Sequence, residues 1–155
     1  AYRADARRSI PLGTLAPAIA RARALGVDVF SLQKGHGSEQ LATLAADAPV
    51  VDLGPALDEG GPDAAFVDTA AVIANLDLVV SSDTALPHLA GALGAPTWLL
   101  LSHVPDWRWG RRGEATPWYP SLRLFRQSRA GDWSGVVADV AAALETLPVT
   151  ERTSG

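Results

Sequence analysis

Hydrophobic and polar positions follow two different periods along the chain, and the changes of period predict a series of helices and strands. Apolar residues recur every three or four positions from Thr14 to Leu25, which predicts a helix that Gly26 ends. Short apolar runs without that period predict strands. The predicted strands are residues 27–32, 50–53, 76–81, 97–101 and 122–126. Further helices are predicted over residues 38–46, 65–74, 87–93 and 134–147.

The order of these elements predicts the fold class. Strands that alternate with helices, and that are apolar on both faces, indicate an α/β fold with a parallel sheet and helices on both faces. We expect one such domain over residues 1–148, with residues 149–155 as a flexible tail. Ligands of such sheets bind beyond the carboxyl ends of the strands. We therefore expect the chemistry in the loops at residues 33–37, 81–88 and 102–118.

Composition and charge narrow the function classes. The 155 residues are 48% hydrophobic, which is enough to bury a core, and the net charge of −4 argues against a nucleic-acid partner. The absence of cysteine excludes disulfides and thiolate chemistry, and with three His no metal site is predicted. No apolar run approaches the roughly 18 residues of a membrane span, and no signal peptide is visible. We expect a cytoplasmic protein.

Polar residues follow the predicted strand 76–81 where a helix begins. Pro87 is predicted to be the first helical residue, which places His88 in a turn where the helix dipole disfavours an imidazolium. Asp83, Thr84 and Ala85 would form the turn before it and offer backbone N–H groups to an anion. This arrangement suits a diphosphate or a ribose. In the alternative, Asp83 and Thr84 only cap the helix and His88 only packs.

Two basic segments are further candidates for phosphate binding. The loop Gln33–Gly37 follows a predicted strand, and its glycines and Lys34 suit a phosphate or sugar, although such a loop is also a common turn. It is not a P-loop, since no Lys-Ser/Thr pair closes it. Arg7 and Arg8 precede the first helix, where a guanidinium could hold a phosphate bidentately or could simply be solvated.

A loop rich in Trp and Arg follows the predicted strand 97–101. Pro105–Trp109 and Thr116–Pro120 could form a platform that stacks on sugar rings, or a lid packed on itself, and both alternatives remain open. Asp106 is the carboxylate placed to bind a sugar hydroxyl there. The chain has no G-x-S-x-G turn and no G-x-G-x-x-G after a strand, so serine-hydrolase and dinucleotide-binding functions are not supported.

Several of these motifs together resemble a known family. Residues 76–84 with His88, Gly91 and Pro96 resemble the nucleotide-sugar motif of family 9 glycosyltransferases, the ADP-heptose:lipopolysaccharide heptosyltransferases and their relatives. The chain looks closest to a bacterial branch in which tetratricopeptide repeats precede the glycosyltransferase region. The segments that resemble this branch are residues 8–12, 31–35, 68–71, 105–109, 117–120 and 123–127. The resemblance covers about residues 6–145.

The resemblance implies a fold and an activity. Family 9 enzymes have the GT-B fold, in which two Rossmann-like domains face a cleft, and this chain resembles the C-terminal, donor-binding half. The implied reaction is inverting and independent of metals. A nucleotide-diphosphate sugar is the donor substrate, and no cofactor is expected. The acceptor, a sugar, a lipid-linked molecule or a protein, would be bound through an N-terminal domain.

The resemblance also implies roles for single residues. Arg8 and His88 would assist departure of the diphosphate, so they are the predicted catalytic residues. The predicted donor-binding residues are Gln33, Lys34, Asp68, Thr69, Asp83, Thr84, Ala85 and His88. Among them, Gln33 and Lys34 would line the nucleotide pocket, and Asp68 and Thr69 would lie near the base or ribose.

The chain departs from the family pattern at several points. Ser82 stands where the family usually has Val, and Pro87 where a small residue is common. The sequence shows no counterpart of the apolar strand that normally precedes the Arg-rich segment, nor of the N-terminal domain that carries the general base. We expect the 155 residues to be a fragment, or the strand to come from a partner chain. We therefore expect the isolated chain to bind nucleotide without turnover. Alternative functions are a non-catalytic interaction or sugar-sensing module and a nucleotide-sugar epimerase-like domain.

Overall fold

The computed structural model describes residues 8–44, 49–61 and 64–147. The predicted tail at residues 149–155 lies outside the described residues. Within them the helices are α1 (Leu12–Ala24), α2 (Val67–Ile73), α3 (Ala85–Ala92) and α4 (Ser134–Leu144). The strands are β1 (Phe30–Ser31), β2 (Val51–Asp52), β3 (Val79–Ser82), β4 (Thr97–Leu101) and β5 (Leu122–Arg126). Short 3-10 helices span Ser38–Thr43, Gly54–Ala56 and Trp107–Trp109.

All strand pairs of the described structure are parallel, which confirms the predicted α/β class. The pair β1–β2 forms one sheet, and the order β3-β4-β5 forms a second. Within the described residues no ladder of hydrogen bonds joins the two sheets. The carboxyl ends of β3, β4 and β5 lie at one edge because the three strands run in the same direction. Loops that follow these strands therefore meet there.

The central strand β4 explains how the layers are arranged. All five of its residues are buried, as expected for a strand covered on both faces. Trp98 and Leu100 point to one face and pack with residues of α1 and α4. Leu99 and Leu101 point to the other face and pack with Trp109 of the loop after β4.

The helices α2 and α3 lie near β3, away from the layer formed by α1 and α4. Ile73 of α2 and Ala90 of α3 share a buried cluster with Val79 of β3. Val79 is paired in register with Thr97. Because side chains alternate along a strand, Thr97 and Leu99 point to one face of the sheet and Trp98 to the other, so Val79 points to the same face as Leu99. Helices thus cover both faces of the larger sheet, as the sequence predicts. This arrangement places the start of α3 beside the loop after β4.

Several element bounds differ from the predicted ones. The strands β4 and β5 have the predicted bounds, whereas β1 and β2 are two residues each instead of six and four. The described part of the helix predicted at residues 38–46 is a 3-10 helix over Ser38–Thr43. A segment forms a strand only where a neighbouring strand forms hydrogen bonds with it. The apolar character of a segment does not show how far such a neighbour extends.

Two strand residues are more exposed than the buried sheet of an α/β domain requires. Phe30 of β1 and Val80 of β3 are each 41% exposed. The described residues do not test whether an inner strand is lacking, so that expectation stays a prediction. In the described residues no helix is long and apolar enough to cross a membrane.

Candidate functional site

The start of α3 carries four of the predicted site residues, Asp83, Thr84, Ala85 and His88. Thr84 is the N-cap of the helix, with an extended backbone, and its hydroxyl accepts a hydrogen bond from the N–H of Leu86 at 3.3 Å. The hydroxyl of Ser81 lies 3.4 Å from that of Thr84. Thr84 and Ala85 are exposed, so this helix start is accessible to a ligand.

The helix begins two residues earlier than predicted, and Pro87 is its third residue. The first three N–H groups of an α-helix have no partner within the helix, so proline loses nothing at the third position. The Thr84 hydroxyl then decides where the helix starts. As a consequence His88 is the fourth helical residue, one turn from the cap.

His88 lies in an aromatic cluster that the sequence analysis did not anticipate. Its Nδ1 is 3.1 Å from the hydroxyl oxygen of Tyr119. Its ring stacks on Trp109, with the centroids 5.1 Å apart and the planes at 29°. Trp109 is buried, whereas His88 and Tyr119 are half-buried. The alternative in which His88 only packs therefore describes part of its environment, but one ring nitrogen is engaged by a hydroxyl.

The position of Trp109 is fixed by the last strand. The guanidinium of Arg126 donates hydrogen bonds to the carbonyl oxygens of Trp109, Gly110 and Gly113, at 2.5, 3.1 and 2.8 Å. Burial lowers the pKa of Arg126 from its ordinary value. Asp106 caps the 3-10 helix of this loop by accepting from the N–H of Arg108 at 3.0 Å. The long loop therefore holds one shape although it has little regular structure.

The predicted nucleotide-pocket residues Gln33 and Lys34 line a surface cleft of about 240 Å³ together with Gly54 and Pro55. A Cβ at Gly54 would lie 2.1 Å from the carbonyl oxygen of Gln33, so only glycine allows this close approach. Pockets that enclose a whole drug-sized ligand measure roughly 300–1,000 Å³. The cleft is therefore smaller than a pocket that would enclose a whole ligand of that size.

Asp68 and Thr69 take part in a tight set of hydrogen bonds with Asp58. One Asp58 oxygen accepts from the backbone N–H groups of Asp68 and Thr69 at 2.8 and 3.2 Å, and the other accepts from the Thr69 hydroxyl at 2.5 Å. The bond from the Thr69 hydroxyl is the main reason why the pKa of Asp58 lies below its ordinary value. Asp68 in turn accepts from the N–H of Asp58 at 2.8 Å. Thr69 is buried, and its hydroxyl donates its hydrogen bond to Asp58.

Lys34 joins this set to the cleft. Its ammonium donates to the carbonyl oxygen of Leu57, and its charge contributes to the lowered pKa of Asp58. Leu32, two residues before Lys34, packs on the same buried cluster as Leu86 of α3. The structure therefore places the cleft and the start of α3 around one apolar cluster.

Arg8 is half-buried ahead of α1, and its role toward a diphosphate stays a prediction. Nearby, Ile10 packs on the core formed by α1 and α4. Among the described residues no three His, Asp, Glu or Cys side chains are grouped in a way that could hold a metal ion.

Trp107 and Trp118 form an exposed pair beside the His88 cluster. They are 73% and 56% exposed, and their rings meet edge to face at 82° with centroids 6.4 Å apart. The guanidinium of Arg108 lies 5.4 Å from the Trp107 ring centroid, and the indole N–H of Trp118 donates to the Arg108 carbonyl at 3.1 Å. The Trp-rich loop is therefore both a self-packed lid, through Trp109, and an exposed aromatic surface.

Comparisons with known proteins identify the family of the chain. A family model described as glycosyltransferase family 9 (heptosyltransferase) matches residues 19–130. This match spans more than half of the chain, so the chain belongs to glycosyltransferase family 9, and the predicted family is confirmed. Protein FlbA of Caulobacter vibrioides is 35% identical over 127 residues, which cover 77% of this chain and 19% of FlbA. The chain thus spans about a fifth of that curated relative. No solved structure matches the chain.

Sequence reasoning missed Asp58, and it included Trp109 and Tyr119 in the Trp-rich loop without their contacts to His88. Trp109 and Tyr119 belong to the Trp-rich loop, but nothing in their spacing links them to His88. A usable signal was the parallel sheet itself, because the loops after β3 and β4 must meet at the same edge. Asp58 lies between the predicted strand 50–53 and the predicted helix 65–74, and its backbone has a φ of 50°, which a sequence pattern does not show.

Proposed function

We propose that this chain is the donor-binding part of an inverting, metal-independent glycosyltransferase that uses a nucleotide-diphosphate sugar. The observation that carries the proposal is the start of α3. There an accessible Thr84 cap lies one turn from His88, whose Nδ1 is engaged by Tyr119. A helix N-terminus and a ring N–H stabilise negative charge, which is what a departing diphosphate develops. Membership of family 9 supports the same conclusion.

In the proposed reaction the acceptor hydroxyl attacks the anomeric carbon in line with the leaving group. The new bond joins the acceptor oxygen to that carbon, while the bond from the carbon to the phosphate oxygen breaks and its electron pair stays on the diphosphate. The hydroxyl proton passes to a base that we assign to the acceptor-binding domain. Arg8, Thr84 and His88 act on the diphosphate in this scheme. Gln33 and Lys34 line the cleft for the base or ribose.

Calorimetric titration with ADP, UDP and GDP tests the proposal. We expect one of the three to bind with a dissociation constant between micromolar and millimolar. We expect Arg8→Ala to weaken that binding at least about tenfold, equivalent to roughly 1.4 kcal/mol, and His88→Ala to weaken it in the same direction. Arg21→Ala is the matched control. It removes the same charge from α1, where Arg21 is paired with Glu145 at 2.9 Å.

Two outcomes would contradict the proposal. Failure of the folded protein to bind any of the three diphosphates would remove the donor-binding role. Equal binding by the Arg8, His88 and Arg21 variants would remove the assigned site. Because we assign the base elsewhere, we also expect no sugar transfer by these 155 residues alone.

A sugar-binding module without catalysis is the second candidate function. The exposed pair Trp107 and Trp118 favours it, since aromatic rings stack on the C–H faces of sugars. In that case Trp107→Ala would abolish binding of free saccharides. A nucleotide sugar would then bind no more tightly than the free saccharide. The two candidates therefore differ in which half of a nucleotide sugar the protein binds.

A further inference from the structure

We infer that Tyr119 is a positioning residue that fixes the tautomer of His88, so that neutral His88 carries its proton on Nε2 and offers that N–H to the donor diphosphate. The inference rests on the proposed function, because it assigns a consequence to a ring that acts on the donor. It begins from the 3.1 Å distance between His88 Nδ1 and the Tyr119 hydroxyl.

The close approach of Tyr119 depends on Gly91. Residues three apart on a helix lie on the same face, so Gly91 is a neighbour of His88 on the surface of α3. A Cβ at Gly91 would lie 2.5 Å from Cγ of Tyr119, well inside van der Waals contact. Because glycine has no Cβ, the phenol ring lies directly against the helix at Gly91. Its hydroxyl then lies beside His88.

The chemistry of the two groups decides which one donates. The lone pairs of a phenol oxygen are delocalised into its ring, so the phenol is a good donor and a poor acceptor. The unprotonated nitrogen of a neutral imidazole is a good acceptor. Tyr119 therefore donates to Nδ1, and the proton of neutral His88 resides on Nε2. The hydrogen bond at one ring nitrogen sets the state of the other, as is usual for histidine.

Trp109 fixes the plane of the same ring. It stacks on His88 at 5.1 Å, and its own backbone carbonyl is held by Arg126. The indole N–H of Trp109 is buried without a hydrogen-bond partner in the described structure. Burying an N–H group without a partner is unfavourable. The position of the Trp109 side chain is therefore explained by the packing of its indole ring and not by a hydrogen bond of its N–H group. Tyr119 and Trp109 together leave His88 one orientation and one tautomer.

The other two histidines of the chain provide references within the same molecule. Nδ1 of His103 lies 3.2 Å from the carbonyl oxygen of Gln127. A carbonyl can only accept, so neutral His103 must carry its proton on Nδ1, the opposite of His88. The side chain of His36 is fully exposed, with Nδ1 3.7 Å from a carboxylate oxygen of Glu39, and serves as the solvent-exposed reference.

Nitrogen-15 NMR of the three imidazole rings tests the inference at a pH where they are neutral. In the wild-type chain we expect a protonated Nε2 for His88, a protonated Nδ1 for His103 and averaged signals for His36. Tyr119→Phe keeps the ring against Gly91 and removes only the hydroxyl. We expect this variant to lower the tautomer ratio of His88 at least about fivefold, the effect of one neutral hydrogen bond, and to leave His103 unchanged.

A second variant and a binding measurement complete the test. Gly91→Ala displaces the phenol ring without altering its hydroxyl, and it should mix the tautomers of His88 as Tyr119→Phe does. We expect Tyr119→Phe to weaken binding of the preferred nucleoside diphosphate about three- to tenfold. A wild-type His88 protonated on Nδ1, or a tautomer ratio unaffected by Tyr119→Phe, would overturn the inference.

The binding data separate this inference from the proposed function. If His88→Ala weakens diphosphate binding but Tyr119→Phe changes the tautomer without changing affinity, the positioning role is overturned and the donor site stands. If no diphosphate binds the wild-type chain, the proposed function fails while the tautomer measurement remains valid.

Discussion

Asp58 shows how one residue with an uncommon backbone conformation can organise a loop. Its φ of 50° lies in the left-handed region, where Asp is among the residues found more often. From there its carboxylate accepts three hydrogen bonds from the first turn of α2, through Asp68 and Thr69. The loop that Lys34 contacts at Leu57 is thereby tied to α2.

The lowered pKa of Asp58 predicts a contribution to acid stability. The bond from the Thr69 hydroxyl is the first cause, followed by the backbone N–H groups and the charge of Lys34. A carboxyl whose pKa is lower in the folded state stabilises the fold above its unfolded value, and the effect is lost as pH falls through the folded value. The relevant window thus lies below the ordinary value of 3.8.

We expect Asp58→Asn to lower the melting temperature near pH 6 and to lose this difference from the wild type as the pH falls below about 4. Thermal unfolding between pH 6 and pH 2 measures it. Asp139→Asn, on the exposed face of α4, is the control for the change of charge alone. A Tm difference that stays constant over this range would mean that the Asp58 charge does not contribute.

The site residues differ in how far the sequence could identify them. Thr84 and His88 are predicted as site residues because a polar turn after an apolar strand has a recognisable pattern, and the family resemblance implies the same residues. Asp58 and Tyr119 were not found, because their roles depend on contacts 11 and 31 residues away in the chain. A local pattern holds no information on such contacts unless the sheet order is already known.

At the scale of elements, the bounds of β4 and β5 were predicted better than those of the two short strands and the start of α3. The bounds of β4 and β5 agree because their apolar residues are the ones that the larger sheet buries. The helix α3 begins two residues before the predicted start at Pro87, because the hydroxyl of Thr84 caps it and proline is tolerated at its third position. Capping chemistry was therefore the better guide than proline here.

The contact between α3 and the loop after β4 predicts opposite outcomes for two glycine substitutions in helices. Alanine normally stabilises a helix interior by about 0.5–1 kcal/mol over glycine. At Gly91 the added Cβ would lie 2.5 Å from the ring of Tyr119, so we expect Gly91→Ala to lower the free energy of unfolding by about 1–3 kcal/mol.

Gly135 of α4 is the matched control, because a Cβ there would contact nothing within 4 Å. We expect Gly135→Ala to leave the free energy of unfolding unchanged or to raise it by up to about 1 kcal/mol. Urea denaturation of both variants measures the difference. Equal stability of the Gly91 and Gly135 variants would show that the phenol ring moves aside freely, which would also weaken the case for Tyr119 as a positioning residue.

At the scale of the whole molecule, the described residues form a well-buried sheet and a smaller sheet that is followed by part of the candidate site. In the larger sheet β4 is buried along its full length, and Trp98 and Leu100 join it to α1 and α4. In the smaller sheet, β2 is exposed along its two residues. The cleft at Gln33 and Lys34 follows this less buried part. The parts that would bind the base and the diphosphate therefore differ in how strongly the fold holds them.

This difference predicts a gradient of stability that amide hydrogen exchange measures residue by residue. Regions with few buried contacts open without global unfolding, so their amides exchange faster. We expect the amides of β4 and β5 to have opening free energies at least about 2 kcal/mol above those of β1 and β2. Addition of the preferred nucleoside diphosphate should slow exchange most at residues 33–37, because a ligand stabilises the closed state to which it binds. Equal protection of both sheets would instead mean that they unfold as one cooperative unit, with the cleft at Lys34 as rigid as the start of α3.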